Sequence, residues 1–202
     1  LGIARRHLFV WVPIVIAALM FLPSTSAKGT SLVPGERVIL ESESRQQYIR
    51  ITERDDGSRR LELNEGQAIH SLYRPNTVLT DNYWDSTLVL PLATQGLPPK
   101  RIAILGNAAG TMARAATRFF PDATVDGVDI DAELPRLGRR YFGLSDERFT
   151  AITADARPFL RATDNRYDVI VAMPIASPTS RSISPPASSL LWHAHDLPRG
   201  AY

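Results

Sequence analysis

The 202 residues are 44% hydrophobic, enough for one sizeable domain or for a small one beside a larger one, and too many for a disordered chain. A net charge of +2 with no basic block argues against a nucleic-acid partner. The chain has no cysteine, which removes disulfides, thiolate metal ligation and cysteine nucleophiles together.

In chain order, Arg5 and Arg6 precede the apolar run Leu8 to Leu22, LFVWVPIVIAALMFL, and small residues follow it as far as Ala27. Residues 1–27 therefore read as an export signal or a short anchor. The run falls short of the roughly 20 residues of a spanning helix and contains Pro13, which favours the signal. An exported or membrane-associated protein is expected, touching the membrane through 8–22, with a cytoplasmic protein as the alternative. Residues 36–75 then show period-two patterning. ERVILESES, QQYIRITER and RRLELNE read as strands, and the DDGS at Asp55 to Ser58 closes a hairpin between the last two. This predicts a small antiparallel β domain.

Asn82 to Gln95 reads as a helix with Trp84, Leu88 and Leu92 on one face, broken by GLPPK. Strands and helices then alternate: RIAIL (101–105), a helix from about Thr111 to Phe120, TVDGVDI (124–130), a helix from about Ala132 to Tyr141, FTAIT (149–153), a helix from Ala156 to Ala162, and YDVIVA (167–172). That alternation predicts a doubly wound, Rossmann-like parallel sheet over 82–172, so the fold class is α/β behind an N-terminal antiparallel unit. After it the pattern stops. Residues 173–202 are rich in serine and proline and are expected to add no further strand or helix, leaving the sheet incomplete.

Open parallel sheets bind ligands at the carboxyl ends of their strands. The first strand ends in GNAAGT, where Gly106 permits a sharp turn and Ala108, Ala109 and Gly110 let a ligand approach the backbone at a helix N-terminus. The second ends in VDGVDID. Asp129 stands at the distance from Gly106 that suits a ribose ligand, while Asp131 suits a helix N-cap. The third ends in TADA, with Asp155 fitting a cap and a ligand equally. Gly106, Asn107, Ala108, Gly110, Asp129 and Asp155 form the candidate cofactor-binding set, and without GxGxxG or a P-loop a nucleoside lacking phosphates suits it best.

QQYIRI, LELNEGQAIHS, the YWD of Tyr83 to Asp85, ILGNAAG, VDGVDID, ITADARPFL and YDVIV, in that order, resemble the spermidine synthases, the polyamine aminopropyltransferases. The resemblance runs from about Glu36 to Val171, and several single motifs are shared with class I methyltransferases. It implies a β-stranded N-terminal domain before a Rossmann-like domain, decarboxylated S-adenosylmethionine as co-substrate, a small polyamine as acceptor and room for a homodimer. It also implies Gln47 and Tyr83 as substrate-side residues, Asp129 as ribose ligand and Asp155 as adenine ligand. Two positions depart from the family. The aspartate of its GGGDG turn is here Ala109, and the aspartate after its YDVII strand is here Met173, which leaves the catalytic residue unknown. Intact S-adenosylmethionine and methyl transfer, or a non-catalytic membrane-anchored binding protein, are the alternatives. No metal is expected: His193 and His195 lack a third ligand, and His70 reads as a structural or pocket-wall residue rather than a catalyst.

The abrupt tail reads as a frameshift. If Val171 is followed by GTC GAT GCC, encoding Val-Asp-Ala, loss of one T yields the observed Ala172, Met173 and Pro174. Reading the remainder in the restored frame allows an aspartate at the strand end and an aromatic-rich segment behind it.

Overall fold

A computed structural model describes residues 33–64, 68–145, 147–173 and 190–192. The apolar run 8–22, its neighbours in 1–32, most of the tail, and His193 and His195 lie outside the described residues. Among the described residues no helix is long and apolar enough to cross a membrane.

The N-terminal sheet is an antiparallel meander of β1 (Glu36–Glu43), β2 (Tyr48–Arg54), β3 (Arg59–Leu63) and β4 (Ala68–Tyr73). The hairpin between β2 and β3 forms as its DDGS predicts. Asp56 Oδ1 accepts from Ser58 N at 2.8 Å, and the Arg54 and Ser58 backbones pair across the turn at 2.9 Å. β4 was not among the expected strands. A register shift between Leu61 and Glu62 turns the buried Ser71 inward and leaves Ile69 exposed, so the apolar period that reveals β1 to β3 is inverted here.

α1 (Tyr83–Gln95) starts at Asn82, whose side chain accepts from Tyr83 N, and ends where the Gly96 N–H reaches Leu92 O. Trp84 and Leu88 are buried as expected, but Leu92 is 45% exposed and Pro91 is buried in its place. The helix is apolar nearly all round, so spacing alone misjudges its inner face. Asp85 pulls the preceding loop onto the helix by accepting from Thr80 N, Thr80 Oγ1 and Asp81 N at 2.8–3.0 Å.

The second sheet has the order β7-β6-β5-β8-β9, from β5 (Arg101–Leu105), β6 (Thr124–Asp129), β7 (Phe149–Thr153), β8 (Val169–Ala172) and β9 (Leu190–Trp192). The first four run parallel, connected through α2 (Thr111–Phe119), α3 (Glu133–Tyr141) and α4 (Ala156–Ala162). This is the α/β architecture the alternation predicts. β9 corrects the expectation for the tail: three successive apolar residues pair antiparallel with β8, Ile170 opposite Trp192, and occupy an edge that was expected to stay open. The chain winds outward from β5 through β6 to β7, then returns to place β8 on the other side of β5. The reversal opens a crevice between the carboxyl ends of β5 and β8.

Three apolar clusters hold the layers together. α1 and α2 cover one face of the parallel sheet through Trp84, Leu88, Met112 and Ala116, while Phe159, Leu160 and Tyr167 pack on the other. The third cluster joins the two sheets: Ile49, Ile51, Leu61 and Leu63 meet Ala108, Ala109, Leu134 and Phe142. The antiparallel sheet therefore lies directly on the turn after β5 and on α3. α3 approaches so closely that a Cβ on Gly138 would lie 2.7 Å from the Ala109 carbonyl oxygen. In a free helix Gly138→Ala gains about 1 kcal/mol. Here a backbone oxygen cannot step aside, so we expect the substitution to cost roughly 1–3 kcal/mol, read as a lower urea midpoint with an unchanged slope.

Candidate functional site

The turn Gly106–Gly110 sits at the mouth of the crevice with three left-handed residues, Gly106 (φ 77°), Ala108 (φ 49°) and Gly110 (φ 88°). Gly106 is needed twice over, since a Cβ there would lie 2.9 Å from the Met173 carbonyl oxygen at the end of β8. All five backbone N–H groups of the turn are engaged by the protein. Gly106 and Asn107 donate to Val128 O at 2.8 and 3.2 Å, and Gly110 to Asn107 O at 2.9 Å. Ala108 donates to Asp129 Oδ2 at 2.8 Å and Ala109 to Ser71 Oγ at 3.0 Å. The turn thus offers a ligand a shaped wall, with its amides already committed. The exception to this saturation is the Asn107 side chain, 5% exposed, whose Oδ1 and Nδ2 have no hydrogen-bond partner among the described residues.

Asp129 ends β6 and is 4% exposed. Beyond Ala108, it accepts from Asp131 N through Oδ1 at 3.1 Å. Burial pushes its carboxyl above the ordinary carboxylate range, against the pull of those backbone donors. His70, on β4, lies within its field. Burial holds the His70 imidazole below its usual pKa, the Ala68 carbonyl 2.9 Å from Nδ1 and the Asp129 charge opposing.

Asp131 caps the first turn of α3 as expected, Oδ1 accepting from Glu133 N at 3.0 Å. Its second oxygen does something its local sequence does not announce. Oδ2 accepts from Ser44 Oγ at 2.6 Å and from Gln47 Nε2 at 3.3 Å, so the turn between β1 and β2 is fastened to the end of β6. Gln47 is thereby brought to the strand ends. Ser44 and Ser71 belong to the arrangement and were not foreseen, because each acts across a gap of more than 35 residues that no local pattern records.

Asp155 is exposed and caps α4, accepting from Arg157 N at 2.9 Å; it sits beside Asp129 because Ala154 N donates to Asp129 O at 3.0 Å. Tyr83 is 43% exposed, its ring tilted against Trp84 at 4.7 Å. Half-burial raises its phenol pKa. No hydrogen bond among the described residues ties it to Gln47, Asp129 or Asp155. Met173 donates its N–H to Leu105 O and packs its side chain on the parallel-sheet core, so the strand end facing Gly106 is apolar.

No family model matches the chain. A probable polyamine aminopropyl transferase of Bifidobacterium longum is 29% identical over 131 residues, 65% of this chain and 28% of that protein. Among solved structures, a probable spermidine synthase from Corynebacterium glutamicum superposes with a TM-score of 0.57 at 23% identity, covering 71% of this chain and 52% of that one. A spermidine synthase in complex with the transition-state analogue AdoDATO gives 0.55 at 22%, covering 67% and 47%. The chain thus spans little more than a quarter of the Bifidobacterium relative and about half of the solved enzymes. Over the stretch it shares with them, this chain is similar in sequence to the polyamine aminopropyltransferases and has the fold of the spermidine synthases.

Proposed function

We propose that the crevice binds an adenosyl sulfonium, decarboxylated S-adenosylmethionine or its product methylthioadenosine. The observation that carries this reading is the Asp129 carboxylate, buried at a strand end beside the topological switch point and oriented by two backbone donors. Both its oxygens keep a second lone pair for ribose hydroxyls. Asp155, exposed at the next strand end, is the group for the adenine amino function, and the fixed Gly106–Gly110 turn walls the ligand between them. A solved neighbour of this fold is a spermidine synthase in complex with the transition-state analogue AdoDATO, which supports a ligand of this class.

Aminopropyl transfer is a displacement. An amine nitrogen attacks the carbon next to the sulfonium, the carbon–sulfur bond breaks with its electron pair moving to sulfur, methylthioadenosine leaves and the new ammonium sheds a proton. Gln47 and Tyr83 are the acceptor-side residues of this reading. The amine needs a carboxylate to hold it and a base to take its proton, and the two places for them carry Ala109 and Met173. A buried ammonium without a counter-charge is costly to desolvate. The chain is therefore a donor-binding scaffold that does not turn over. Methyl transfer from intact S-adenosylmethionine is the second reading, favoured by Ala109, which removes the amine-holding group and leaves the nucleoside side untouched. Non-catalytic binding is the third. The export or anchor reading of residues 1–27 rests on their sequence pattern, and full-length protein found wholly in the soluble cytosolic fraction on fractionation would overturn it.

Calorimetry with decarboxylated S-adenosylmethionine and methylthioadenosine should give heat with both, and Asp129→Asn should weaken each by about tenfold through lost charge-assisted bonds to ribose. A folded sample silent to both ligands removes the nucleoside site. Tighter binding of the carboxylated donor shifts the reading to methyl transfer. In a product assay the chain should form no spermidine, while a version with the reading frame restored after Val171 regains a strand-end aspartate and with it a step worth ~10²–10⁴-fold. Robust spermidine formation by the chain as it stands would remove both the frameshift and the role given to that aspartate.

A further inference from the structure

α2 carries Arg114 and Arg118 one turn apart, where like charges repel. Arg114 is half-buried, and burial lowers its pKa with no carboxylate opposing it. Its guanidinium donates to the Thr77 and Arg74 carbonyls at 3.1 Å each and lies over the Tyr73 ring at 4.7 Å. Those carbonyls take two of its five N–H groups and, among the described residues, no carboxylate compensates its charge. Arg118 is exposed, and neither arginine forms an ion pair among the described residues.

Both side chains line a cleft between the loop Pro75–Leu79 and α2, with lobes of about 300 and 380 Å³. Thr117, Ser145 and Asn76 add hydroxyl and amide groups, and Val78 and the exposed Phe119 add apolar surface. Arg148 also faces it while donating to the Thr117 carbonyl at 2.8 Å. None of the described lining residues is acidic. The cleft lies at the amino ends of the parallel strands, since Pro121 precedes β6 and Arg148 precedes β7, whereas Asp129 and the Gly106 turn lie at the carboxyl ends.

We propose that this cleft is a second ligand site, for a small organic oxyanion whose charged head is held by Arg114 and Arg118 and whose apolar body lies against Val78 and Phe119. Guanidinium pairs suit phosphate and carboxylate heads, and the phosphate, with the larger charge, is the better match to uncompensated cations. Occupancy would also relieve the repulsion along α2.

Phenyl phosphate, inorganic phosphate and benzoate are titrated into the full chain by calorimetry. Phenyl phosphate is expected to bind, to weaken about tenfold in Arg118→Gln, and to weaken again as salt rises. The Arg118 variant is chosen because that side chain is exposed, whereas Arg114 also fastens the Arg74–Thr77 loop. Binding of methylthioadenosine should be the same in Arg118→Gln as in the parent chain, so the two sites fail or succeed separately. Benzoate binding as tightly as phenyl phosphate identifies a carboxylate as the natural head group and still supports the site. Absence of heat with all three probes, or an affinity for phenyl phosphate unchanged in Arg118→Gln, overturns it.

Discussion

The Asp129 carboxylate, held between the backbone N–H groups of Ala108 and Asp131, is the interaction on which the rest of the strand-end arrangement depends. It fixes the left-handed turn after β5 to the end of β6, and so sets the position of α2, which starts at the end of that turn. It also costs something. Burial of the carboxylate raises its pKa, and the two amides offset that penalty only in part. A fold seeking stability alone has cheaper ways to tie a turn to a strand, for example the carbonyl of Val128, which already accepts from Gly106 and Asn107. A buried, oriented charge at a topological switch point is instead what a ligand site requires.

Around that contact the two sheets are joined by side chains from both. Ser71 reaches the Ala109 amide from β4, Thr111 Oγ1 both donates to and accepts from the Leu72 backbone, and Asp131 gathers Ser44 and Gln47. The apolar cluster of Ile49, Ile51 and Leu61 against Ala109 and Phe142 lies under these polar ties. Packing supplies most of the adhesion, since burial of such side chains contributes roughly 1.5–3 kcal/mol each. The polar ties add register. They specify which residues of the N-terminal sheet stand over the crevice, and Gln47 is placed by one of them.

How much of this the sequence discloses follows from the range of each interaction. β5 and β8 are legible because their apolar runs are continuous and largely buried, and the hairpin at Asp55–Ser58 because its turn chemistry is local. Asp131 is legible as a cap but not as the anchor of Ser44 and Gln47, which lie more than 80 residues away. β4 is hidden by the inward Ser71, which exists to serve Ala109, so the same contact that builds the site erases the strand's pattern. Leu92 is misread because the apolar residues of α1 are spread nearly all round the helix and no single face is marked as the inner one. β9 is hidden among serines and prolines, its pairing supplied by the open edge of β8.

On the proposed reading the two halves of the crevice would differ in how much they depend on charge, and that difference would decide which half a chain with Ala109 and Met173 retains. A sulfonium has no N–H to satisfy, and its charge is spread over three carbon neighbours, so on that reading the nucleoside half would rest on Asp129, Asp155 and the shape of the Gly106–Gly110 turn. An ammonium brings three donors and a compact charge that must be matched by acceptors before water can leave. At the end of β8 it meets Met173 packed into the core, and in the turn it meets Ala109, whose amide is committed to Ser71. Substituting an aspartate at Ala109 alone would therefore set a second carboxylate next to the buried Asp129 without supplying the base at β8, and like charges in low dielectric raise each other's pKa. On that reading the frame-restored strand end at β8 returns the carboxylate that takes the proton, and the amine half is complete only when the turn also carries one to hold the cation.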